Sequence, residues 1–416
     1  MNNLAFKRTK FACFFCYPAM TPVFILPPIL FYTFRQMYGI SYTLLGTLVL
    51  VNFCTQLSID LIFTFFARHF NLHKTIRAMP LLTAAGLIIY AAVPTLFPQF
   101  AYAGLLLGTF IFSISAGLSE VLVSPTVASL PSDNPERDMS ALHSLYGYGA
   151  AATALVSTGF LWLFGTENWM WLTLALAVLP LIAVVLFRIS PLPEIQLSHA
   201  PSGQAAKRKR AGLALCVACI FLGSAAENTM TNWISVFMEN ALQLPKMLGD
   251  TLGLASFTLL LALTRTWYAR HGKNIFSALL LGMVGAVICY TAASLSSSRI
   301  VAILACMLTG VCTAMLWPGT LILMEEKFPS PGVAAYALMA AGGDFGASVA
   351  PQGLGIVVDA VTASQWAADI GVRLSLSPEQ VGMKAGMLLG ALFPIAGIAV
   401  LLYAKRFFRL NKNEAL

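Results

Sequence analysis

Four carboxylates sit where water should not reach. Of the 17 acidic residues in the 416-residue chain, Asp60, Glu120, Glu227 and Asp344 fall well inside long apolar runs. An ionisable group in hydrocarbon is costly and ordinarily faces a cavity or a partner. A carboxylate held there can load a proton from one side and release it to the other as its surroundings change. Glu120, Glu227 and Asp344 are therefore candidate proton carriers. Asp60 lies nearer the end of its run, where a gating ion pair with Arg68 is an equal alternative to proton transfer. His143 opens a helix after the 131–138 loop and could relay protons or simply order that helix end.

Each acid belongs to a polar stripe at helical spacing, because residues three and four apart share a face. The stripes are Asn52, Gln56 and Asp60; Ser113, Gly117, Glu120 and Ser124; Ser224, Glu227, Asn228, Thr231 and Ser235; and Asp344, Ser348, Gln352 and Gly355. Such polar groups either contact a ligand or join helices through hydrogen bonds. As ligand contacts, the candidates are Asn52, Gln56, Tyr146, Asn228, Thr231, Asn232, Trp233, Trp317 and Gln352. Aromatic faces beside amides and carboxylates suit a neutral polyhydroxylated compound or an organic cation. Arg265 reads as lying near a helix end, with no Lys or Arg as deep as the acids. The expected lining is therefore acidic or, after protonation, neutral, which disfavours phosphate or carboxylate ligands.

The elements that must position these groups follow from composition. The chain is 58% hydrophobic and 10% charged, whereas soluble domains carry roughly 25% charged residues. A spanning helix needs ~20 mostly apolar residues. Runs of that kind centre on residues 11–33, 41–66, 78–97, 101–128, 140–164 and 168–187, and again on 211–237, 250–268, 275–296, 300–324, 332–358 and 382–404. The expectation is an all-α membrane protein with twelve transmembrane helices in two pseudo-symmetric six-helix bundles. The first half is residues 1–190, the linker 191–210, and the second half 211–416. The linker carries the basic run Lys207 to Arg210. Both termini are expected in the cytoplasm of a cell with an inner membrane. Only Arg35, Lys246, Arg299, Arg373 and Lys384 of the 25 Lys and Arg then fall on the far side, a strong positive-inside bias. The net charge of +8 is thus a topology signal, not a nucleic-acid surface. No cleavable signal peptide is expected. The C-x-x-C pairs Cys13/Cys16 and Cys216/Cys219 lie early in apolar runs without nearby His, so they read as packing residues, with no metal or other cofactor. No phosphate-binding G-x-x-x-x-G-K-[ST] loop is present, so nucleotide is not the expected energy source, and no catalytic cluster suggests an enzyme.

The halves echo one another. "FARH" (66–69) and "YARH" (268–271) follow the second helix of each half. "SPT" (124–126) and "WPG" (317–319) interrupt the fourth, and "YGYGA" (146–150) and "GDFGA" (343–347) lie in the fifth. Parallel six-helix repeats with a midplane site are the organisation of major facilitators. Within that superfamily the chain resembles the fucose–proton symporter branch. The resemblance rests on "GLSEVLVSPTVASL" (117–130), "ALHSLYGYGA" (141–150), "GSAAENTMTNW" (223–233) and "GGDFGASVAPQGLGIVVD" (342–359). It implies that Glu120 is a protonation site and that the fold is a monomeric carrier of a small solute and protons. The branch's helix 1 Asp has no counterpart, since residues 11–34 contain no Asp or Glu. Proton-coupled uptake is the leading expectation, and proton-antiport export of an amphipathic or cationic compound is the alternative.

Overall fold

A computed structural model describes residues 3–66, 69–132, 135–193, 206–272, 274–328 and 333–410. Those residues form helices and connecting turns, with no strand among them. Twelve helices are long and apolar enough to cross a membrane. They are α1 (Phe6–Tyr38), α2 (Tyr42–Phe63), α3 (Leu72–Leu96), α4 (Pro98–Val123), α5 (Ser144–Phe164), α6 (Thr166–Ile189), α7 (Arg210–Ala241), α8 (Lys246–Tyr268), α9 (Ile275–Leu295), α10 (Arg299–Lys327), α11 (Leu338–Thr362) and α12 (Pro378–Arg409). The shortest has 21 residues, about 31 Å of helix at 1.5 Å per residue, enough for a hydrocarbon core of roughly 30 Å. A ten-residue helix, Gln365–Leu374, is too short to cross and lies between α11 and α12.

Two compact units divide the chain. Unit 1 is Met1–Ile40 with Val51–Leu197, and unit 2 is Ser41–Leu50 with Ser198–Leu416. The sequence expectation assigned all of α2 to the first half, whereas its first turns pack within unit 2. The reason is a helix end. The first backbone amides of a helix have no partner in the helix itself. Those of Tyr42 and Thr43 donate to the Asp359 carboxylate at 3.3 and 2.6 Å, and that of Leu44 donates to Ser41 Oγ at 3.2 Å. The Tyr42 hydroxyl donates to Glu379 at 2.7 Å, and its ring lies 5.7 Å from that of Trp233.

Inside unit 1, α3 and α4 pack without side chains between them. A Cβ on Gly86 would lie 2.6 Å from the Phe112 backbone nitrogen, and one on Gly108 would lie 2.6 Å from that of Tyr90. Small residues spaced to let backbones touch are the usual adhesive of membrane helices. Helix α1 is interrupted at Thr21, whose hydroxyl bonds Pro18 O at 2.8 Å and Thr153 Oγ1 of α5 at 2.7 Å. In unit 2 the end of α9 is closed by Lys384 of α12, whose ammonium donates to the carbonyls of Ser294 and Ser296 at 3.0 and 3.1 Å.

Replacing Gly108 by Val forces α3 and α4 apart and should cost about 1–3 kcal/mol by overpacking. Gly159→Ala, with nothing within 4 Å of the new Cβ, should be neutral or stabilising. Thermal unfolding of the two variants in detergent, followed by fluorescence-detected size exclusion, checks the contrast.

Candidate functional site

In unit 1 the site forms where α2 and α4 approach. Gly117 makes the approach close, since a Cβ there would meet Ile59 Cβ at 3.0 Å and Gln56 Cα at 3.1 Å. One turn further along each helix, a carboxylate oxygen of Asp60 and one of Glu120 lie within 4.8 Å of each other. Asp60 is buried and Glu120 partly so. Two carboxylates at this distance repel when both are charged, and one shared proton removes the repulsion. Arg68, the gate partner expected for Asp60, lies outside the described residues, as does the His143 side chain.

Asn52 and Gln56 are engaged with their own unit. Asn52 Oδ1 accepts from Gln56 Nε2 at 3.0 Å and from Ser113 Oγ at 2.7 Å. Of the two uses their spacing allowed, these bonds are interhelical adhesion: α2 is joined to α4 one and two turns away from the acids. Tyr146 packs edge-on against Phe24, with ring centres 5.7 Å apart.

Unit 2 corrects the expected acidity. Arg265 of α8 reaches Glu227 of α7 and donates from Nη2 to both carboxylate oxygens, at 3.0 and 3.1 Å. Sequence position had placed this arginine near a helix end. Its length and an unfilled carbonyl bring it inward. Pro318 has no N–H, so the Ala314 carbonyl four residues earlier loses its helical partner. The Arg265 Nε–H donates to that carbonyl at 2.8 Å. Glu227 is therefore one half of an ion pair, and unit 2 holds a deep guanidinium that the sequence reading excluded. The cue was legible: a Trp-Pro break in one helix and an arginine within an apolar run two helices earlier.

The remaining polar residues of α7 bond back to their own helix. Asn228 Nδ2 donates to Ser224 O at 3.1 Å, Thr231 Oγ1 to Glu227 O at 2.9 Å, and Asn232 Nδ2 to Asn228 O at 2.8 Å. Trp233 is fully buried, and its indole N–H donates to Pro351 O at 3.0 Å. In this structure it packs within unit 2. Trp317 lies over Gly343, its ring 2.3 Å from where a Cβ would stand. Asp344 is buried in α11. The Gln352 Oε1 is buried, with no hydrogen-bond donor among the described residues.

The sequence profile of the Major Facilitator Superfamily matches residues 11–351. The chain belongs to that superfamily, and it is a multi-pass membrane transporter. Comparison of the sequence with curated proteins gives no match. Among solved structures, a bacterial homologue of the human lysosomal transporter Spinster, in an inward-facing and occupied conformation, superposes with a TM-score of 0.75 at 15% identity, covering 99% of each chain. A D-xylose–proton symporter gives 0.70 at 14% identity over 94% of this chain and 97% of that one. The fucose–proton symporter of E. coli gives 0.61 at 13% identity over 97% and 99%. At these identities the likeness is one of fold.

Removing the guanidinium leaves Glu227 charged and unpaired in unit 2. Arg265→Gln should therefore destabilise by about 3–5 kcal/mol. Adding Glu227→Gln should restore much of the loss, although Ala314 O stays unserved. A double-mutant cycle on thermal unfolding in detergent measures the coupling, and additive effects would mean the pair contributes nothing.

Proposed function

We propose that the protein carries a small polar solute across the inner membrane together with protons, by alternating access, with both termini in the cytoplasm and the monomer as the working unit. The observation that carries this reading is the Asp60–Glu120 pair, two carboxylates within 4.8 Å of each other on adjacent membrane helices. Protonation of one and release from the other side of the membrane would couple proton flow to the solute. Asp60 thereby takes the place of the helix 1 Asp of the fucose–proton branch: the second acid is supplied by α2 instead of α1. Support comes also from two solved neighbours whose names declare proton symport of sugars.

Glu227 is no free carrier in this scheme, because it is held by Arg265. Instead the pair offers a mixed surface. Arg265 Nη2 and Nε are taken, whereas Nη1 has no bond to a described residue. The two N–H groups of Nη1 suit a ligand rich in hydroxyls, whose oxygen atoms can accept. Asp344 completes the set of unit 2 residues offered to the solute and its proton. The same neutralisation of Glu227 weighs against proton-antiport export of a cation, which needs surplus negative charge.

Proteoliposomes supplied with labelled pentoses and hexoses test the reading. With an inward proton gradient the wild type should accumulate one of them above its external level. Glu120→Gln should lose that accumulation while keeping solute exchange at equal concentrations, and Asp60→Asn should behave likewise. Gradient-driven accumulation that survives Glu120→Gln undiminished would remove the carboxylate pair from the mechanism. Outward movement driven by the same gradient would favour the export reading.

A further inference from the structure

Three cations of unit 1 stand around one groove. Lys74 and Arg77 lie in the opening turns of α3, and Arg188 lies in the closing turn of α6. Ala78, Leu81 and Val184 supply the apolar floor of a cleft of about 220 Å³. All three basic side chains are exposed, and among the described residues none has an ion pair or side-chain hydrogen bond. Most other interior or boundary cations described so far are engaged: Arg265 with Glu227, Lys384 with two carbonyls, Lys10 with Asp138 at 2.5 Å. This trio is different in having no charged partner among the described residues.

The groove is also a built feature. His73 Nε2 lies 3.0 Å from Pro193 O, which ties the start of α3 to the segment leaving α6. Thr9 of α1 donates its hydroxyl to Pro191 O in the same segment. The start of α3 and helix α1 are thus both fastened to the segment that leaves α6. Asn71 caps α3 by accepting from Lys74 N at 3.0 Å, so the positive end of the α3 dipole faces the same place. Below the cations, Leu81 is half exposed, and so are Leu181, Ile182 and Val185 on α6.

A site with free cations above an apolar slot matches a molecule with an anionic head and hydrocarbon tails. We propose that this groove binds an anionic glycerophospholipid, its phosphate held by Lys74, Arg77 and Arg188 and its acyl chain lying along Leu81 and the exposed apolar face of α6. Basic pockets between membrane helices on the cytoplasmic side recognise anionic head groups in this way. The occupant is a lipid and not a soluble phosphate, because a soluble anion would leave Leu81, Ile182 and Val185 uncovered. The assignment is independent of which solute is carried.

Native mass spectrometry on purified protein tests it. The wild type, exchanged into mixed phosphatidylglycerol and phosphatidylcholine, should keep phosphatidylglycerol through delipidation in preference to phosphatidylcholine. Neutralising Lys74, Arg77 and Arg188 singly to Gln should weaken that preference roughly fivefold for each cation removed. Neutralising the exposed Lys405, Arg406 and Arg409 at the end of α12 should leave it intact. Arg77→Lys, which keeps the charge, should retain most of the preference and guards against a folding defect in the Gln variants. Equal retention of the two lipids by the wild type would overturn the proposal. So would an unchanged preference in a folded triple variant. Displacement of the bound lipid by millimolar inorganic phosphate would reassign the groove to a soluble anion.

Discussion

A backbone amide or carbonyl left unpaired in hydrocarbon costs several kcal/mol, and no water is at hand to relieve it. Helices solve this for their own interiors, but every break and every end reopens it. The long-range polar contacts of this protein are largely answers to that constraint. Pro318 frees the Ala314 carbonyl, and Arg265 fills it. The amides that open α2 have no helical acceptor, and Asp359 supplies one. The carbonyls that close α9 have no donor, and Lys384 supplies it. In each case a charged side chain from another helix is drawn to a partial charge on the backbone, as the dipoles at helix ends predict.

Charges recruited in this way also set the electrostatics of the rest. A guanidinium anchored on Ala314 O has donors to spare, and Glu227 takes two of them. What looks like an acidic residue poised for chemistry is thereby compensated. The contrast with Asp60 and Glu120 is instructive. They lie beside each other because Gly117 lets α2 and α4 touch.

Much of the architecture could be read from residue types. Twelve spans followed from run length, and the depth of Asp60, Glu120, Glu227 and Asp344 followed from their place within those runs. Periodicity also put each on a polar face. What spacing along a helix does not give is the angle between helices, and that angle chooses partners. Asn52 and Gln56 therefore read as ligand contacts when they bond to each other and to Ser113. Trp233 read as a binding surface when it is buried against Pro351. Arg265 was misplaced for a related reason: a side chain several bonds long moves its charge well away from its own backbone position. Asp359, the last residue of a family-like segment, gave no sign of capping α2, because that role exists only once the start of α2 has been brought to it.

That last contact has a consequence for the making of the protein. Thr43 and Asp359 are separated by 316 residues. A ribosome will have delivered α2 to the bilayer long before α11 emerges, so the opening amides of α2 begin life served by Ser41 and by interfacial water. The lasting cap arrives only near the end of synthesis, when the second half of the chain is almost complete. The start of α2 is thus among the last parts of the molecule to be finished, although it is among the first to be translated.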